Sequence, residues 1–255
     1  MDFDNPHQRA VFFDVHSDLP REGPGHRAST ERALGLAKPL PEVPRVLDIG
    51  CGPGFQTLDL AELLPTARIT AIDLHQPFLD VLQARAVDQG VDDRIHVHCQ
   101  DMARLEVIAG SFDLLWSEGA VYNIGFTRAL EAWRPLLAEG GRLAFTDAVW
   151  LKRGKRPEAV EQLWQEYPDM QSLRARRPQI VDAGYRLLAD FILPEEAWWD
   201  HYYTPMEKRI ETLRPKYEDD AVAQAVLDEC QLEIDVYRQH SEHYGYCFFI
   251  MTPTS

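Results

Sequence analysis

The stretch Val46-Leu-Asp-Ile-Gly-Cys-Gly-Pro-Gly-Phe55 constrains this chain more than any other. An apolar run leads directly into glycines at 50, 52 and 54, and an amphipathic segment follows over residues 56–64. A buried strand that turns through glycines into a helix opens a βαβ unit, so the chain is expected to build a parallel sheet covered by helices. Glycines let a ligand approach the backbone, and the helix N-terminus offers free N–H groups, so the loop is suited to a nucleotide-like ligand. The dinucleotide fingerprint G-x-G-x-x-G would put its third glycine at position 55. Phe55 stands there, and the pattern Asp48-x-Gly50-x-Gly52-x-Gly54 disfavours NAD, as does the lack of a Tyr-x-x-x-Lys pair after the core strands.

Beyond the loop, short apolar runs alternate with amphipathic stretches. The pattern predicts strands over 45–49, 67–73, 95–98, 112–117, 142–147, 185–193 and 246–251, with helices over 56–64, 77–89 and 127–138. Gly140-Gly141 reads as the cap of the third helix, and Gly184 as the stop before the strand at 185. The first forty residues are rich in Pro, Gly, His and Arg, and only 30–36 looks helical, so residues 1–40 read as an arm or lid. Residues 194–243 form a helical insertion with 13 acidic and 5 basic residues. The expected architecture is one doubly wound α/β domain: a core over 41–193 and 244–255, the arm, and a helical cap over 194–243.

Charge removes several function classes. With 26 Lys+Arg against 41 Asp+Glu the net charge is −15, which repels nucleic-acid backbones and anionic membrane surfaces, so neither is expected as a partner. No apolar run reaches the roughly 18 residues of a membrane span, and the Met-Asp-Phe-Asp-Asn-Pro start lacks the features of a signal peptide. A cytoplasmic location is expected. Cys51, Cys99, Cys230 and Cys247 lack paired spacing and read as reduced thiols, and His96-x-His98-Cys99 reads as ordinary strand residues, so no metal is expected.

Asp73 ends the second strand, 19 residues after Gly54, where a carboxylate can accept both ribose hydroxyl protons. Asp101-Met102, after the third strand, is placed to meet an adenine edge and face, and Asp48 to lie near the ligand's amine or carboxylate tail. Taken singly, each acid could instead cap a helix or face water. Together, Leu47-Asp-Ile-Gly-Cys-Gly-Pro-Gly54, Ile72-Asp73, Asp101-Met102 and Leu137-Ala-Glu-Gly-Gly141 resemble the motifs of the class I S-adenosylmethionine-dependent methyltransferases over about residues 40 to 150. Gly23-Pro-Gly25, Trp116-Ser-Glu-Gly-Ala-Val-Tyr-Asn-Ile-Gly-Phe126 and Gly245-Tyr-Cys-Phe-Phe-Ile250 are similar to an uncharacterised bacterial branch related to the ubiquinone-biosynthesis methyltransferases. The resemblance implies a Rossmann-like, seven-stranded, mostly parallel sheet with an antiparallel last strand, and S-adenosyl-L-methionine as cofactor. It implies cofactor roles for Asp48, Gly50, Gly52, Gly54, Asp73, Asp101 and Met102, with Cys51, Leu74 and Ser117 beside them.

Ligands of open α/β sheets sit beyond the strand C-termini, so Ser117, Glu118, Gly119, Tyr122 and Asn123 should face the reacting methyl group. Methylation of exocyclic base amines in this family goes with Asn/Asp-Pro-Pro-Tyr at this place; Ser-Glu-Gly-Ala stands here instead. Methyl transfer depends on alignment and water exclusion, with a general base where the acceptor must lose a proton. Glu118 is the expected base unless it binds cofactor or caps a turn, with Tyr122 and His201 as further catalytic candidates. Glu118, Tyr122, Asn123, Trp150, Trp199 and Tyr203 are the expected acceptor contacts, although the Trp198-to-Tyr203 cluster could equally be cap packing. Gly23-Pro-Gly25-His26 reads as a lid segment or a plain linker. The expected activity is methylation of a small molecule. Methylation of a protein or RNA, and a non-catalytic binding module, are the alternatives, and cap aromatics could also bury against a second copy in a homodimer.

Overall fold

A computed structural model describes residues 1–254 of the chain. The strands β1 (Arg45–Ile49), β2 (Arg68–Asp73), β3 (Ile95–Cys99), β4 (Phe112–Ser117), β5 (Leu137–Trp150), β6 (Gln171–Ser172), β7 (Tyr185–Ile192) and β8 (Tyr244–Pro253) form one sheet in the order β3-β2-β1-β4-β5-β8-β7, with β6 beside the end of β5. All seven expected strands are present; β6 is a two-residue addition. Only β8 runs antiparallel to its neighbours, β5 and β7. This is the Rossmann-like, mostly parallel, doubly wound sheet expected. Central β4 is buried along its whole length because helices cover both faces, which accounts for its apolar Leu114-Leu115-Trp116 centre, while Asp113 is paired with Arg45.

The first helices, α1 (Pro6–His16) and α2 (Arg27–Ala37), replace most of what reads in sequence as an irregular arm. The Asn5 side chain accepts from the backbone N–H groups of His7 and Gln8, and Pro6 takes the first helical turn, so α1 starts at a strong cap. Val11 and Val15, four residues apart, are buried with Leu19, Ala33, Leu34 and Ala37 in the main apolar core.

Next come α3 (Phe55–Leu63), α4 (Gln76–Asp88) and α5 (Phe126–Trp133). Gly54 caps α3 in the left-handed region, and a Cβ there would lie 2.2 Å from Leu82 Cδ1 of α4, so this glycine is fixed both by conformation and by helix packing. The helix expected over 127–138 ends at Trp133. Pro135 has no N–H to continue it, Leu137 already pairs with Phe112, and Gly140-Gly141 falls inside β5 at a register shift rather than capping a helix.

After α6 (Glu158–Leu163) and α7 (Leu173–Asp182), the chain crosses to β7. Arg176 of α7 and Asp147 of β5 are both fully buried and paired at 3.2 Å, with the Tyr167 hydroxyl bonded to both. The cap comprises α8 (Glu196–Trp198), a widened π-helical turn at Trp199–Tyr203, α9 (Thr204–Lys216) and α10 (Ala221–His240). Helix α1 lies on α9 and α10, tied by Asp14, which binds Arg209, Lys216 and Tyr217. Among the described residues no helix is long and apolar enough to cross a membrane.

Candidate active site

A cavity of about 380 Å³ lies beyond the C-terminal ends of β1, β2 and β4. Gly50, Cys51, Gly52, Asp73, Leu74, Asp101, Met102, Glu118, Tyr122 and Asn123 all line it, so the sequence motifs converge on one place. Asp73 is held in position: Oδ2 accepts from Gly52 N and Oδ1 from His75 N, both at 2.9 Å. Each oxygen keeps a second lone pair for a hydroxyl donor. Gly50 has φ +70°, and a Cβ there would meet Ala120 Cβ at 2.6 Å and Met102 Cε at 3.0 Å, so only glycine lets Met102 close over the loop. Leu74, 71% exposed, supplies an apolar surface on the same cavity.

Asp48, Gly54 and Ser117 do not line the cavity; they form its base. Asp48 is fully buried beneath the loop, accepting from Thr57 Oγ1 at 2.6 Å while Oδ1 has no partner. Burial, partly offset by Thr57 and reinforced by the nearby Glu118 charge, pushes its carboxyl up to about 7. A carboxylate with lone pairs free for a diol, two apolar residues that suit a flat base and an approachable glycine backbone fit an adenosyl group.

The segment joining α1 to α2 closes this cavity, contributing Arg21, Glu22 and Gly23. Glu118, expected as a free base, is the anchor of that closure. Its side chain is wholly buried; Oε2 accepts from Arg21 Nη2 at 2.6 Å, and Oε1 accepts from Thr30 Oγ1 at 2.8 Å and Trp116 Nε1 at 2.9 Å. Gly25 lies so close that a Cβ would come within 2.3 Å of Arg21 Nη2 and 2.7 Å of Glu118 Oε2. Its N–H donates to Ala197 O at 2.8 Å, joining the closure to the cap. The Arg85 guanidinium also donates to Pro53 O of the loop at 3.0 Å.

A second, larger cavity of about 930 Å³ adjoins the first, sharing Glu22, Gly23, Asp73, Gly119, Tyr122 and Asn123. Its walls are aromatic: Phe12 and Phe13 from α1, Trp198, Tyr202 and Tyr203 from the cap, and Tyr246 from β8. The Phe13 ring stacks on His75 at 3.7 Å, setting α1 against the turn after β2. At the junction His16 Nδ1 lies 2.5 Å from Glu22 Oε2; burial raises the Glu22 carboxyl and the His16 contact opposes that rise. Glu233 of α10 accepts from the hydroxyls of Tyr202 and Tyr203 at 3.1 and 3.0 Å.

Three expected site residues lie elsewhere. Trp150 donates to Met170 O and carries the Arg156 guanidinium 3.7 Å over its ring, because β5 runs on past the cavity. Trp199 packs against Tyr203 and Tyr237 under Arg238, outside the cavity lining. His201 packs on Phe55 at 4.6 Å, with its pKa lowered by burial, and lines neither cavity. The π-helical turn accounts for the split, since it lets adjacent Tyr202 and Tyr203 stack at 4.8 Å with both hydroxyls on one carboxylate. His16, Glu22 and Glu233 belong to no motif read from the sequence, whereas Tyr202 falls within the Trp198-to-Tyr203 cluster read as pocket wall or cap packing. The Asn5-Pro6 start followed by Phe12, Phe13 and His16 at helical spacing is the sequence signal for His16, whereas Glu22 lies beyond the helix and has none.

Residues 46–141 match the family model described as a methyltransferase domain. The chain is 38% identical over 125 residues to a trans-aconitate 2-methyltransferase of Streptomyces avermitilis, covering 47% of this chain and 45% of that protein. It is 32% identical over 104 residues to a ubiquinone biosynthesis O-methyltransferase of Nitrosococcus oceani, covering 40% and 42%. The chain thus spans less than half the length of these curated relatives. The structure superposes on a SAM-dependent methyltransferase from Geobacter sulfurreducens, solved with S-adenosyl-L-homocysteine, with a TM-score of 0.81 over 96% of this chain and 98% of that one, at 22% identity. Residues 46–141 are thus similar to a methyltransferase domain, on a chain whose fold is that of the class I S-adenosylmethionine-dependent methyltransferases.

Proposed function

We propose that this chain is a methyltransferase that uses S-adenosyl-L-methionine and acts on a small molecule in the cytoplasm. The observation that carries this reading is the meeting of two cavities, one built on the glycine loop and one walled by aromatics, at Glu22, Gly119, Tyr122 and Asn123. When bound, the cofactor supplies a methyl group on a positively charged sulfur. Asp73 accepts from the ribose hydroxyls, and Leu74 and Met102 hold the base between them with Asp101 at its edge. Gly50, Cys51 and Gly52 bring the backbone close. Tyr122 and Asn123 position the acceptor where the cavities join, while α1 and the Arg21–Glu118 contact exclude water.

Glu118 is a positioning residue in this scheme, since three donors occupy its oxygens. His16, oriented by Glu22, is the group at the junction able to take a proton from an acceptor O–H or N–H. Helices close over the aromatic cavity, which suits a small acceptor better than a protein or RNA, and the methyltransferases named above act in small-molecule chemistry by their names. Calorimetric titration with S-adenosyl-L-homocysteine tests the reading. Binding in the micromolar range, weakened about 10- to 100-fold by Asp73→Ala through loss of charge-assisted hydrogen bonds, is expected. No binding, or equal binding by the variant, would overturn it.

A further inference from the structure

The larger cavity carries a half-buried carboxyl whose hydrogen bonding is incomplete. Glu233 points from α10 into the aromatic chamber, and both of its described hydrogen bonds, from Tyr202 and Tyr203, go to Oε1. No described residue donates to Oε2, and no described cation forms an ion pair with this carboxylate. The other acids around the chamber are differently placed. Glu22 has its cation in His16, although its Oε1 is buried without a donor, Asp73 is held by two backbone N–H groups, and Glu166 is at the exposed rim. Taking a carboxylate out of water costs several kcal/mol unless a cation or enough donors replace the water. Two neutral hydroxyls on one oxygen leave that replacement half made.

The walls beside Glu233 suit the same kind of guest. Trp198 stacks on Tyr246 with centroids 5.3 Å apart, and Tyr202 stacks on Tyr203. Trp198 also stacks on Tyr237 at 4.2 Å, so the rings that meet the carboxylate are those of Tyr202 and Tyr203, and electron-rich rings attract a cation electrostatically. The π-helical turn is what brings Tyr202 and Tyr203 to one carboxylate, and such turns are frequent where a helix builds a site.

We propose that the acceptor carries a positively charged ammonium group, which donates to Glu233 Oε2 beside the rings of Tyr202 and Tyr203. This rests on the methyltransferase reading and assigns its substrate class. Glu233 is a specificity residue here, selecting the acceptor by a charged handle.

Three probes of one skeleton and different charge test this: 2-phenylethylamine, 2-phenylethanol and phenylacetate. Each is titrated into the full chain with S-adenosyl-L-homocysteine present, following the fluorescence of the chamber tryptophans. The ammonium probe is expected to bind at least about tenfold more tightly than the alcohol, with phenylacetate weakest. Glu233→Gln, whose amide oxygen still accepts from the tyrosines, is expected to abolish that preference while keeping homocysteine-cofactor affinity.

Equal or tighter binding of the alcohol or phenylacetate by the native chain would overturn the proposal without any variant being needed. So would an unchanged ammonium preference in Glu233→Gln, or no ammonium binding at millimolar concentration. The cofactor titration is read separately. Absence of a charge preference in the native chain with cofactor binding intact removes this inference alone, whereas absent cofactor binding removes the methyltransferase reading whatever the probes do.

Discussion

At the scale of single residues, the Glu118 contact shows how a strand end acquires its role from a distant segment. Its place after β4 is visible in sequence, but Arg21 and Thr30, 97 and 88 residues away, determine what the carboxylate can do. Arg21→Met is expected to destabilise the chain by about 3 kcal/mol, because it leaves Glu118 buried without its cation. Urea denaturation measures the loss, and the same variant should bind S-adenosyl-L-homocysteine more weakly because the closing segment comes loose. Asp48 gives a pH dependence of definite sign. The folded carboxyl holds its proton up to about 7, whereas its ordinary value is 3.8. Between those values the folded state binds a proton that the unfolded chain has released, so stability falls as pH rises from about 4 to about 7 and levels off beyond. Asp48→Asn should flatten that slope by a few kcal/mol in denaturation midpoints compared across pH; parallel curves for the two proteins would refute the assignment. The glycine loop, Asp73 and Met102 were legible because their constraints are local. The His16–Glu22 pair was not, because six residues of non-repeating loop geometry bring the two side chains together.

Among the secondary-structure elements, α1 joins local sequence to function most directly. Asn5 and Pro6 start it, Val11 and Val15 fix its buried face, and that choice turns Phe12, Phe13 and His16 towards the chamber. Asn5→Ala removes the cap and should cost about 1 kcal/mol. Hydrogen exchange should then quicken over Pro6–His16 while the sheet amides keep their protection. A uniform rise across the molecule would mean that α1 is part of the globally cooperative unit rather than a separately opening one. The composition of the first forty residues hid this helix: prolines and glycines cluster at 20 to 25, after it has ended, and its buried stripe is only two valines wide. At the end of α5 the opposite error arises. Gly140-Gly141 looks like a cap by residue type, but Pro135 intervenes first and the strand claims both glycines.

For the molecule as a whole, the doubly wound parallel core followed from the alternation of strand and helix, whereas the closing of the site did not. Sequence periodicity reports which face of an element is buried but not which distant element buries it. The net charge of −15 also acts at this scale. Carboxylates concentrated over residues 194–243 repel one another, so the melting temperature should rise by a few degrees as sodium chloride goes from a few millimolar to about 0.15 M, where the screening length falls to about 8 Å. A steady fall would show that exposed ion pairs such as Arg238–Glu207 outweigh the repulsion. The two covers of the site differ in how the sheet holds them. The cap leaves the sheet after β7 and returns as β8, which is clamped between β5 and β7. The N-terminal segment enters the sheet only once, at β1. The cap is thus sewn into the sheet at both ends, whereas the N-terminal cover is buttoned on by side chains, Arg21 to Glu118 over the cavity and Asp14 to Arg209 on α9.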